Sequence, residues 1–506
     1  MNIPIINSIL GYLQGDGATI LPEIELVLFG LGILVIDFWI EEKEKYLNAG
    51  MALAGTLFSA FTLWRLRGVA AVRGEFGGFH QSVIVDPFFL FFATLFLAAT
   101  ALVILLSVKY LEIEREQEGE YYALLLLSCV GMMLMASGTD LIVLFLGLET
   151  MALSFYVLTG FLRREKRSNE AALKYVLLGA FSSGILAYGF SSLYGLSAFS
   201  QSHMRPSTNI GQIGAALYDR LRLSVGSGSP DWLAILAFVT ILAGLFFKIG
   251  AVPFHQWAPD VYEGAPTPIS AYVSVASKTA SFALLLRLIF VFGSTHVAWM
   301  YLIAGVAVAS LTWGNLAALT QTNVKRLLAY SSISHVGYIL LGLVAGNRTA
   351  LTGIAYYLLS YVFMTAGAFA VIIVLRQKGI IGEELDDLNG LYQRSPAAAL
   401  LLLIFMLSLA GIPPTAGFMG KYFIFLALIE SHHPVLAVFA VLYIVPALYY
   451  YFRIVVHAWL KQPGDAPRPD MTSAQAVALA VTVFVTLAAG LYPEPFTRLA
   501  QYAFGQ

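Results

Sequence analysis

Four ionisable residues stand in stretches of the chain that are apolar enough to cross a bilayer. Lys248 lies near the end of WLAILAFVTILAGLFFKIG, Glu149 lies within LIVLFLGLETMALSFYVL, and Lys278 and Lys421 stand in similar runs. A charged side chain at the centre of a helix in lipid costs about 2.5 to 3.5 kcal/mol on insertion scales, so such residues face a bundle interior and mark ion or proton pathways. The four residues therefore predict a proton-translocation site.

A lysine with a nearby glutamate would give this site a switch. Burial disfavours a charged ammonium, whereas a carboxylate about 4 Å away in an effective dielectric near 20 favours it by about 4 kcal/mol. Bringing a carboxylate to Lys248, or removing it, would make that lysine hold or release its proton. Glu149 is the predicted partner.

Three further residues are predicted to relay protons between the lysines. His255 and His335 suit this role because imidazole titrates near neutrality, and a hydrogen-bonded packing histidine is the alternative for each. Lys174 follows Glu170 by four residues, the spacing of a helical salt bridge, so a structural ion pair is its alternative. The same alternative exists for the four buried residues as a set. Their occurrence as a set, with two of them beside Gly-Pro breaks, favours transport.

The composition excludes most other classes of protein. Of 506 residues, 59% are hydrophobic and 12% charged, and the mean hydropathy is +0.78. Soluble domains carry about 25% charged residues, so the chain is predicted to be a polytopic membrane protein. A net charge of −1 without a long basic run argues against nucleic-acid binding.

Metal and cofactor motifs are not found in the sequence. The single Cys129 excludes an intramolecular disulfide and a thiolate cluster. Neither a phosphate-binding GxxxxGK[ST] loop nor a metal-binding HExxH pair occurs. We therefore expect no metal, nucleotide or redox cofactor on this chain.

Windows of about 20 apolar residues predict fourteen transmembrane helices. The segment 396 to 430 is too long for one straight span and contains GIPP at 411 to 414, so we expect a broken helix there. The polar segment 197 to 230 is predicted to be a loop. The predicted spans are 21 to 40, 46 to 64, 86 to 108, 121 to 138, 140 to 160, 171 to 196, 231 to 250, 268 to 292, 297 to 318, 324 to 345, 350 to 375, 396 to 430, 435 to 460 and 473 to 492.

The basic residues predict an orientation. When the loop RREKRSNE at 163 to 170 is placed inside, the inside loops carry more lysine and arginine than the outside loops. Fourteen spans then put both termini outside. The N-terminus lacks the basic region of a signal peptide, so the first helix is expected to act as its own insertion signal.

A weak internal symmetry divides the chain. Lys248 belongs to a helix that GAVP interrupts, and Lys421, 173 residues later, belongs to one that GIPP interrupts. The same offset from Lys278 lands within two residues of Arg453. Helices four to eight and nine to thirteen are thus predicted to be inverted copies of a five-helix unit, an architecture common in secondary transporters. The predicted organisation is 1–120 for an N-terminal three-helix segment, 121–292 and 297–460 for two proton half-channels, and 461–506 for a C-terminal helix.

Several strings carry a resemblance to a known family. They are LGLETMALSFYVLTGF around Glu149, RSNEAALKY ending at Tyr175, FKIGAVPFHQWAPDVYEGAPTP from position 247, KRLLAYSSISHVGY from position 325 and AGIPPTAGFMGKYF around Lys421. Across roughly residues 85 to 460 the chain resembles the antiporter-like subunits of respiratory complex I, and among them the N-type subunit of bacterial NADH:quinone oxidoreductase.

The resemblance implies an all-α fold of fourteen helices, with two inverted five-helix half-channels and with helices seven and twelve broken. It also implies proton translocation without a cofactor bound to this chain. The M-type subunit has glutamate where this chain has Lys421, and the residues after about 492 are expected to leave no room for the lateral helix of the L type. The implied roles are the helix-five glutamate for Glu149, the broken-helix lysine for Lys248, the connecting lysine for Lys278, the second half-channel lysine for Lys421, and polar-axis positions for Lys174, His255 and His335.

The resemblance also implies a setting. The partners would be the other membrane-arm subunits of complex I, including other antiporter-like subunits and small hydrophobic subunits, in a bacterial plasma membrane. FMN, iron–sulfur clusters and quinone are expected on partner subunits. Two alternatives remain open at this point: a subunit of a multisubunit sodium/proton antiporter or membrane-bound hydrogenase, and a structural membrane scaffold with fixed ion pairs.

Overall fold

The computed structural model describes residues 15–116, 118–198, 205–227, 231–291, 296–376, 382–463 and 468–505. Within these ranges the chain is almost entirely helical. Thirteen helices are long and apolar enough to cross a membrane, and the remaining predicted span, 396 to 430, is a pair of shorter helices. The predicted all-α polytopic fold with fourteen spans is therefore confirmed.

The first part of the chain runs up to the end of the first broken helix. A 3-10 turn, Asp16–Ile20, leads into the first helix, and another, Glu42–Glu44, precedes the second. The helices are α1 (Leu21–Ile36), α2 (Tyr46–Arg73), α3 (Pro87–Glu114), α4 (Gly119–Ser137), α5 (Leu141–Thr159), α6 (Lys166–Ser197), α7 (Ile210–Ser227), α8 (Trp232–Ile249) and α9 (Trp257–Gly264).

The second part begins with a helix whose middle is a π-helical turn, Val273–Ser277. A 3-10 turn, Leu385–Leu388, precedes the short α15. The helices are α10 (Thr267–Tyr272), α11 (Lys278–Val291), α12 (His296–Ala318), α13 (Val324–Ala345), α14 (Arg348–Leu375), α15 (Leu391–Arg394), α16 (Pro396–Ala410), α17 (Ala416–Glu430), α18 (Pro434–Leu442), α19 (Ile444–Trp459), α20 (Ser473–Leu491) and α21 (Glu494–Tyr502).

Two five-helix units follow α1 to α3. The first consists of α4, α5, α6, the broken pair α8–α9, and α10–α11; the second consists of α12, α13, α14, the broken pair α16–α17, and α18–α19. The broken helix is the fourth member of each unit. Because five spans reverse the direction of the chain, this order matches the predicted inverted repeat.

Both breaks are built in the same way. Gly250 takes a left-handed conformation with φ 73°, and the N–H groups of Gly250 and Ala251 donate to the carbonyls of Phe247 and Phe246 at 3.0 and 2.8 Å. At the second break Gly411 has φ 85°, and the same two bonds recur at 3.0 Å each. Glycine adopts this conformation without steric cost, and the following prolines cannot continue a helix.

Three spans occupy the centre of the bundle. Other helices bury the whole apolar stretch of Thr267–Ile289 and of Arg348–Leu375, and 94% of the stretch in Val324–Ala345. In Pro434–Trp459 only 28% of the apolar stretch is buried. A helix that is apolar all round belongs in a core rather than at a lipid or water boundary. Any ionisable group on these three spans is therefore shielded from lipid by other helices.

Several elements outside the membrane spans were not predicted. A short antiparallel hairpin, Phe76–Gly78 paired with Val83–Val85, joins α2 to α3. The segment 197 to 230, predicted to be a loop, contains the amphipathic α7. The short α21 follows α20 near the C-terminus.

An ion pair fastens α7 to the start of α8. The Arg220 guanidinium donates to the Asp231 carboxylate at 2.8 Å. That hydrogen bond lowers the pKa of Asp231 from its usual value, against the opposing effect of burial. The sequence analysis missed α7 because its apolar residues are too few for a membrane span.

Candidate functional site

Lys248 lies in the last turn of α8, immediately before the first break. Only 4% of the residue is exposed. Its Nζ donates to the Tyr156 hydroxyl at 3.4 Å and lies 5.8 Å from the centre of that ring. The carbonyl-rich end of a helix favours a cation, so the break supplies a setting in which a buried ammonium can be held.

Glu149 does not form the predicted close pair with Lys248. Their charged atoms are more than 4.0 Å apart, although the two groups interact electrostatically. Tyr156 follows Glu149 by seven residues, two helical turns along the same face of α5, and its hydroxyl takes the place next to the amine. Glu149 Oε1 has no hydrogen-bond partner among the described residues. In this conformation the carboxylate is therefore withdrawn from the amine.

Lys278 follows the π-helical turn and lies at the centre of the molecule. Its exposure is 2%, and its Nζ donates to the Ser332 hydroxyl of α13 at 2.5 Å. The amine also lies 5.6 Å from the centre of the Tyr262 ring. Single π-helical turns within α-helices are frequent at functional sites, since they break the regular hydrogen-bond ladder.

The central helix α13 presents polar groups one turn apart. Ser332, His335 and Tyr338 follow each other at intervals of three residues and share one face. His335 Nδ1 lies 2.7 Å from the Tyr357 hydroxyl, and its Nε2 lies 3.1 Å from the Tyr451 hydroxyl. The imidazole is therefore hydrogen-bonded through both ring nitrogens.

Lys421 lies beyond the second break, on α17, but its amine reaches back to the end of α16. The Nζ donates to the carbonyls of Ala410 and Leu409 at 2.8 and 3.1 Å and lies 4.9 Å from the centre of the Tyr338 ring. These carbonyls belong to the group of terminal acceptors that a helix leaves without partners of its own. The second broken helix thus holds a buried ammonium at its C-terminal end, as the first does.

The two breaks also receive lysine amines against their left-handed glycines. A Cβ at Gly250 would lie 3.7 Å from Lys278 Nζ, and a Cβ at Gly411 would lie 3.0 Å from Lys421 Nζ and 2.8 Å from its Cδ. The glycines are 161 residues apart and the predicted lysine pair 173 apart, because Lys248 precedes its break and Lys421 follows its own.

His255 lies in the turn between α8 and α9. It is 8% exposed, and its ring meets the ring of Trp313 edge to face at 5.8 Å between centroids. Its Nδ1 has no hydrogen-bond partner among the described residues. The structure places this histidine beside the first break without joining it to a lysine.

Lys174 belongs to a separate cluster of charges. It pairs with Glu170 at 2.8 Å and with Asp260 at 2.9 Å, and its side chain is 43% exposed. Arg326 also pairs with Asp260, and with Glu263, both at 2.9 Å. The cluster lines a polar cavity of about 280 Å³. Lys174 is thus placed where its ion-pair alternative predicted, away from the buried amines.

The sequence analysis missed the tyrosines. The hydroxyl of Tyr156 lies beside Lys248, and those of Tyr357 and Tyr451 lie beside His335. A phenol can both donate and accept a hydrogen bond, so it can link two protonatable groups. The three-residue spacing in SISHVGY was the signal in the sequence that polar residues share one face of α13. The tyrosines of α14 and α19 are recognisable only from their contacts.

The chain is similar to membrane subunits of known complexes. Residues 137–445 match the family described as NADH:quinone oxidoreductase/Mrp antiporter, TM. A protein of Solibacter usitatus named NADH-quinone oxidoreductase subunit N 2 is 52% identical over 501 residues, which cover 97% of this chain and 98% of that one. One of Koribacter versatilis named NADH-quinone oxidoreductase subunit N 1 is 49% identical over 500 residues, covering 97% and 96%.

Chains of two solved membrane complexes share the fold of this chain. A chain of respiratory complex I from Thermus thermophilus superposes with a TM-score of 0.77 at 30% identity, covering 95% of this chain and 99% of that one. A chain of the Mrp complex from Dietzia sp. gives 0.81 at 21% identity, covering 96% of both, and shows the shared fold alone.

The chain therefore belongs to the NADH:quinone oxidoreductase/Mrp antiporter family of transmembrane subunits. Within it, relatives at 38–52% identity are named as subunit N of NADH-quinone oxidoreductase, which confirms the predicted resemblance to the N-type antiporter-like subunit of complex I. It is a multi-pass membrane subunit of an enzyme complex.

Proposed function

We propose that this subunit moves protons through a line of buried amines and hydroxyls, driven by quinone reduction in other subunits of the complex. The observation that carries the proposal is the arrangement of three lysines, each at most 4% exposed, two in the first five-helix unit and one in the second. Lys278 connects the units, because its amine lies beside Gly250 of the first break and donates to Ser332 of the second unit. Charged groups at membrane depth are energetically costly, and those that occur mark ion or proton pathways.

Glu149 and Lys248 form the switch at one end of the line. A carboxylate that approaches the amine favours its charged form, and a carboxylate that withdraws releases the proton. The conformation described above, with the two groups more than 4.0 Å apart, corresponds to the separated state. A shift of Lys248 from Tyr156 towards Glu149 would close the pair.

The proton released at this end would enter the line at Lys278. From its amine a proton can pass to the Ser332 hydroxyl, which gives up its own proton as it accepts one. His335 lies one turn further along α13, between two tyrosine hydroxyls. Lys421, beside Tyr338, is the last station before the exit. Each transfer forms one O–H or N–H bond and breaks another, so the line needs no cofactor of its own.

The energy must come from outside the chain. Moving a proton outwards against the membrane potential costs about 2.3 kcal/mol per 100 mV. We propose that FMN, iron–sulfur clusters and quinone on partner subunits supply it, which makes this subunit a non-redox part of a translocase. The membrane would be a bacterial plasma membrane, with both termini outside as the basic loops indicate.

Replacement of Lys248 by alanine tests the proposal. The assembled variant complex should lose most NADH-to-quinone turnover while it keeps full NADH oxidation by a hydrophilic artificial acceptor, because only the coupled reaction needs the line. Lys43→Ala, which removes an exposed lysine before α2, is the matched control and should leave both rates unchanged. Normal coupled turnover and pumping in Lys248→Ala would refute the proposal.

A further inference from the structure

Two carboxyl groups of α1 take no part in the line of lysines. Glu23 and Glu25 are 4% and 8% exposed. Neither oxygen of Glu23 has a hydrogen-bond partner among the described residues. Oε1 of Glu25 accepts a hydrogen bond from the Thr62 hydroxyl at 2.7 Å, and its Oε2 has no partner in the same part of the chain. Three carboxyl oxygens are thus buried and unsatisfied within the membrane-spanning bundle.

The groups around them offer no counter-charge. The elements packed on α1 are α2, α4 and the turn Asp16–Ile20. The titratable neighbours of Glu23 are Glu25 and the buried Cys129 of α4, and both interact with it electrostatically. Among the described residues, no lysine, arginine or histidine comes within 4.0 Å of either carboxylate. An isolated ionised carboxylate in an apolar interior is so costly that it takes up a proton or finds a cation.

A groove between α1 and α2 leads to Glu25 from the surface. It has a volume of about 1220 Å³ and is open along one side. Glu25 and Thr62 lie on its wall, and Asp16, Arg65 and Arg67 line it as well. Arg65 and Arg67 belong to the last turns of α2, so the polar end of the groove lies at a membrane surface. Glu23 is absent from this lining.

We propose that Glu23 and Glu25 form a proton-binding site in the N-terminal three-helix segment, separate from the line of lysines and loaded through the groove between α1 and α2. A proton from water at the membrane surface forms an O–H bond with a carboxylate oxygen and removes the buried charge. The two acids differ in access, since Glu25 borders the groove and Glu23 does not. The site takes a proton rather than a metal, because among the described residues no group of three acidic, histidine or cysteine side chains could hold a metal ion.

Labelling with a lipophilic carbodiimide tests this site. Dicyclohexylcarbodiimide reacts with protonated carboxyl groups in apolar surroundings: the carboxyl oxygen bonds to the central carbon, its proton moves to nitrogen, and nothing leaves. In the intact purified complex in lipid, peptide mass spectrometry should find the adduct on Glu23 or Glu25. The yield should fall as the pH is raised, because only the protonated acid reacts.

Variants and a second reagent make the outcome unambiguous. The glutamine variant of the labelled acid, Glu23→Gln or Glu25→Gln, should lower the label on this peptide several-fold, whereas Glu42→Gln, which removes an exposed acid between α1 and α2, should leave it unchanged. A water-soluble carbodiimide should label Glu42 in the same sample and so verifies detection. If one variant fails to assemble, the pH dependence in the unmodified complex and the other variant still decide.

Three results would overturn the proposal. They are the absence of label on both acids in the intact complex, a yield independent of pH, and a label that appears only after the complex is dissociated. The last result would mean that a cation of a neighbouring subunit covers the carboxylates. None of them bears on the lysine line, whose test uses a different residue and a different readout.

Discussion

At the scale of the residue, the amines of Lys248, Lys278 and Lys421 are each held by neutral oxygen atoms rather than by a carboxylate. Lys248 meets the hydroxyl of Tyr156, Lys278 the hydroxyl of Ser332, and Lys421 two main-chain carbonyls. Neutral acceptors stabilise an ammonium without fixing its charge as a tight ion pair would. This is the property that a group needs if it is to gain and lose a proton repeatedly.

Ser332→Ala should weaken the middle of the line. Lys278 would lose its hydrogen-bond acceptor, and a hydrogen bond to a charged group contributes about 1.5 to 3 kcal/mol. We expect coupled proton pumping by the assembled complex to fall about 10-fold or more, with activity towards an artificial acceptor unchanged. Ser332→Thr, which keeps the hydroxyl, should restore much of the loss.

Ser281→Ala is the control for that substitution. Ser281 lies on α11 and, like Ser332, is buried. Its hydroxyl donates to the Ser277 carbonyl, one turn earlier in the chain, at 2.8 Å, and no lysine among the described residues hydrogen-bonds to it. Pumping should be nearly normal in this variant. Equal pumping by the Ser332 and Ser281 variants would show that the contact between Lys278 and Ser332 has no role in transport.

At the scale of the element, the broken helices are the features that create sites for lysines. Gly250 and Gly411 end their helices with the same two hydrogen bonds, and each accepts a lysine amine against its α-carbon. The existence of both breaks could be predicted from GAVP and GIPP, since glycine and proline stop helices by known means. The lysine that meets each glycine could not be predicted, because the contact between Gly250 and Lys278 joins different helices.

Gly411→Ala should damage the second break. The new methyl would lie 2.8 Å from Lys421 Cδ on a residue with φ 85°, so both backbone strain and a clash would result. We expect a loss of about 1 to 3 kcal/mol in stability and reduced coupled turnover, because the lysine must move. The yield of assembled complex and its quinone reductase rate measure the two effects.

Gly305→Ala supplies the matched control. Its Cβ would meet nothing within 4 Å, and it lies in the exposed face of α12. Alanine is favoured over glycine there by roughly 0.5 to 1 kcal/mol. A Gly411 variant as active and stable as this control would mean that the left-handed turn tolerates a side chain and does not position Lys421.

At the scale of the whole molecule, the two five-helix units are joined by buried polar contacts as well as by apolar packing. The Lys325 amine of α13 pairs with Glu383 at 2.7 Å and donates to the Ala265 carbonyl at 2.9 Å, while Thr267 of α10 donates to Glu383 at 3.1 Å. This cluster connects the end of the first unit to the second. It fixes the relation between Lys278 and α13 on which the line depends.

Glu383→Ala should destabilise the subunit strongly. Lys325 is 2% exposed, so its charge would remain buried without its partner, at a cost of about 3 to 5 kcal/mol. The midpoint of thermal unfolding of the purified complex and the amount of assembled subunit should both fall. Glu112→Ala, which breaks the exposed pair with Lys109, should change stability by about 1 kcal/mol or less.

A double variant separates the charge from the packing. Lys325→Met combined with Glu383→Leu removes both charges and keeps apolar volume, and such replacements are often neutral or stabilising. Stability should recover most of the loss seen in Glu383→Ala. If the double variant were as unstable as the single one, the unpaired ammonium would not be the cause.

The global architecture and the lysines were predictable from the sequence, whereas the local geometry was not. Hydropathy reveals spans, since each must be long and apolar, and an ionisable residue within a span stands out. Glu149 and Lys174 show the limit: one lies further from Lys248 than predicted, and the other lies in the cavity with Asp260 and Arg326. Contacts between distant helices decide both, and one sequence does not contain them.

The measurement that tests the account most directly is the number of protons moved per NADH oxidised by the purified complex in sealed vesicles. The unmodified complex should move a fixed number of protons across the membrane for each NADH oxidised. Lys421→Met should abolish or sharply reduce this quinone-linked proton movement, while NADH oxidation by an artificial acceptor continues. An assembled Lys421→Met complex that turns over quinone at the normal rate with the normal proton ratio would contradict the claim that the buried lysines carry the protons.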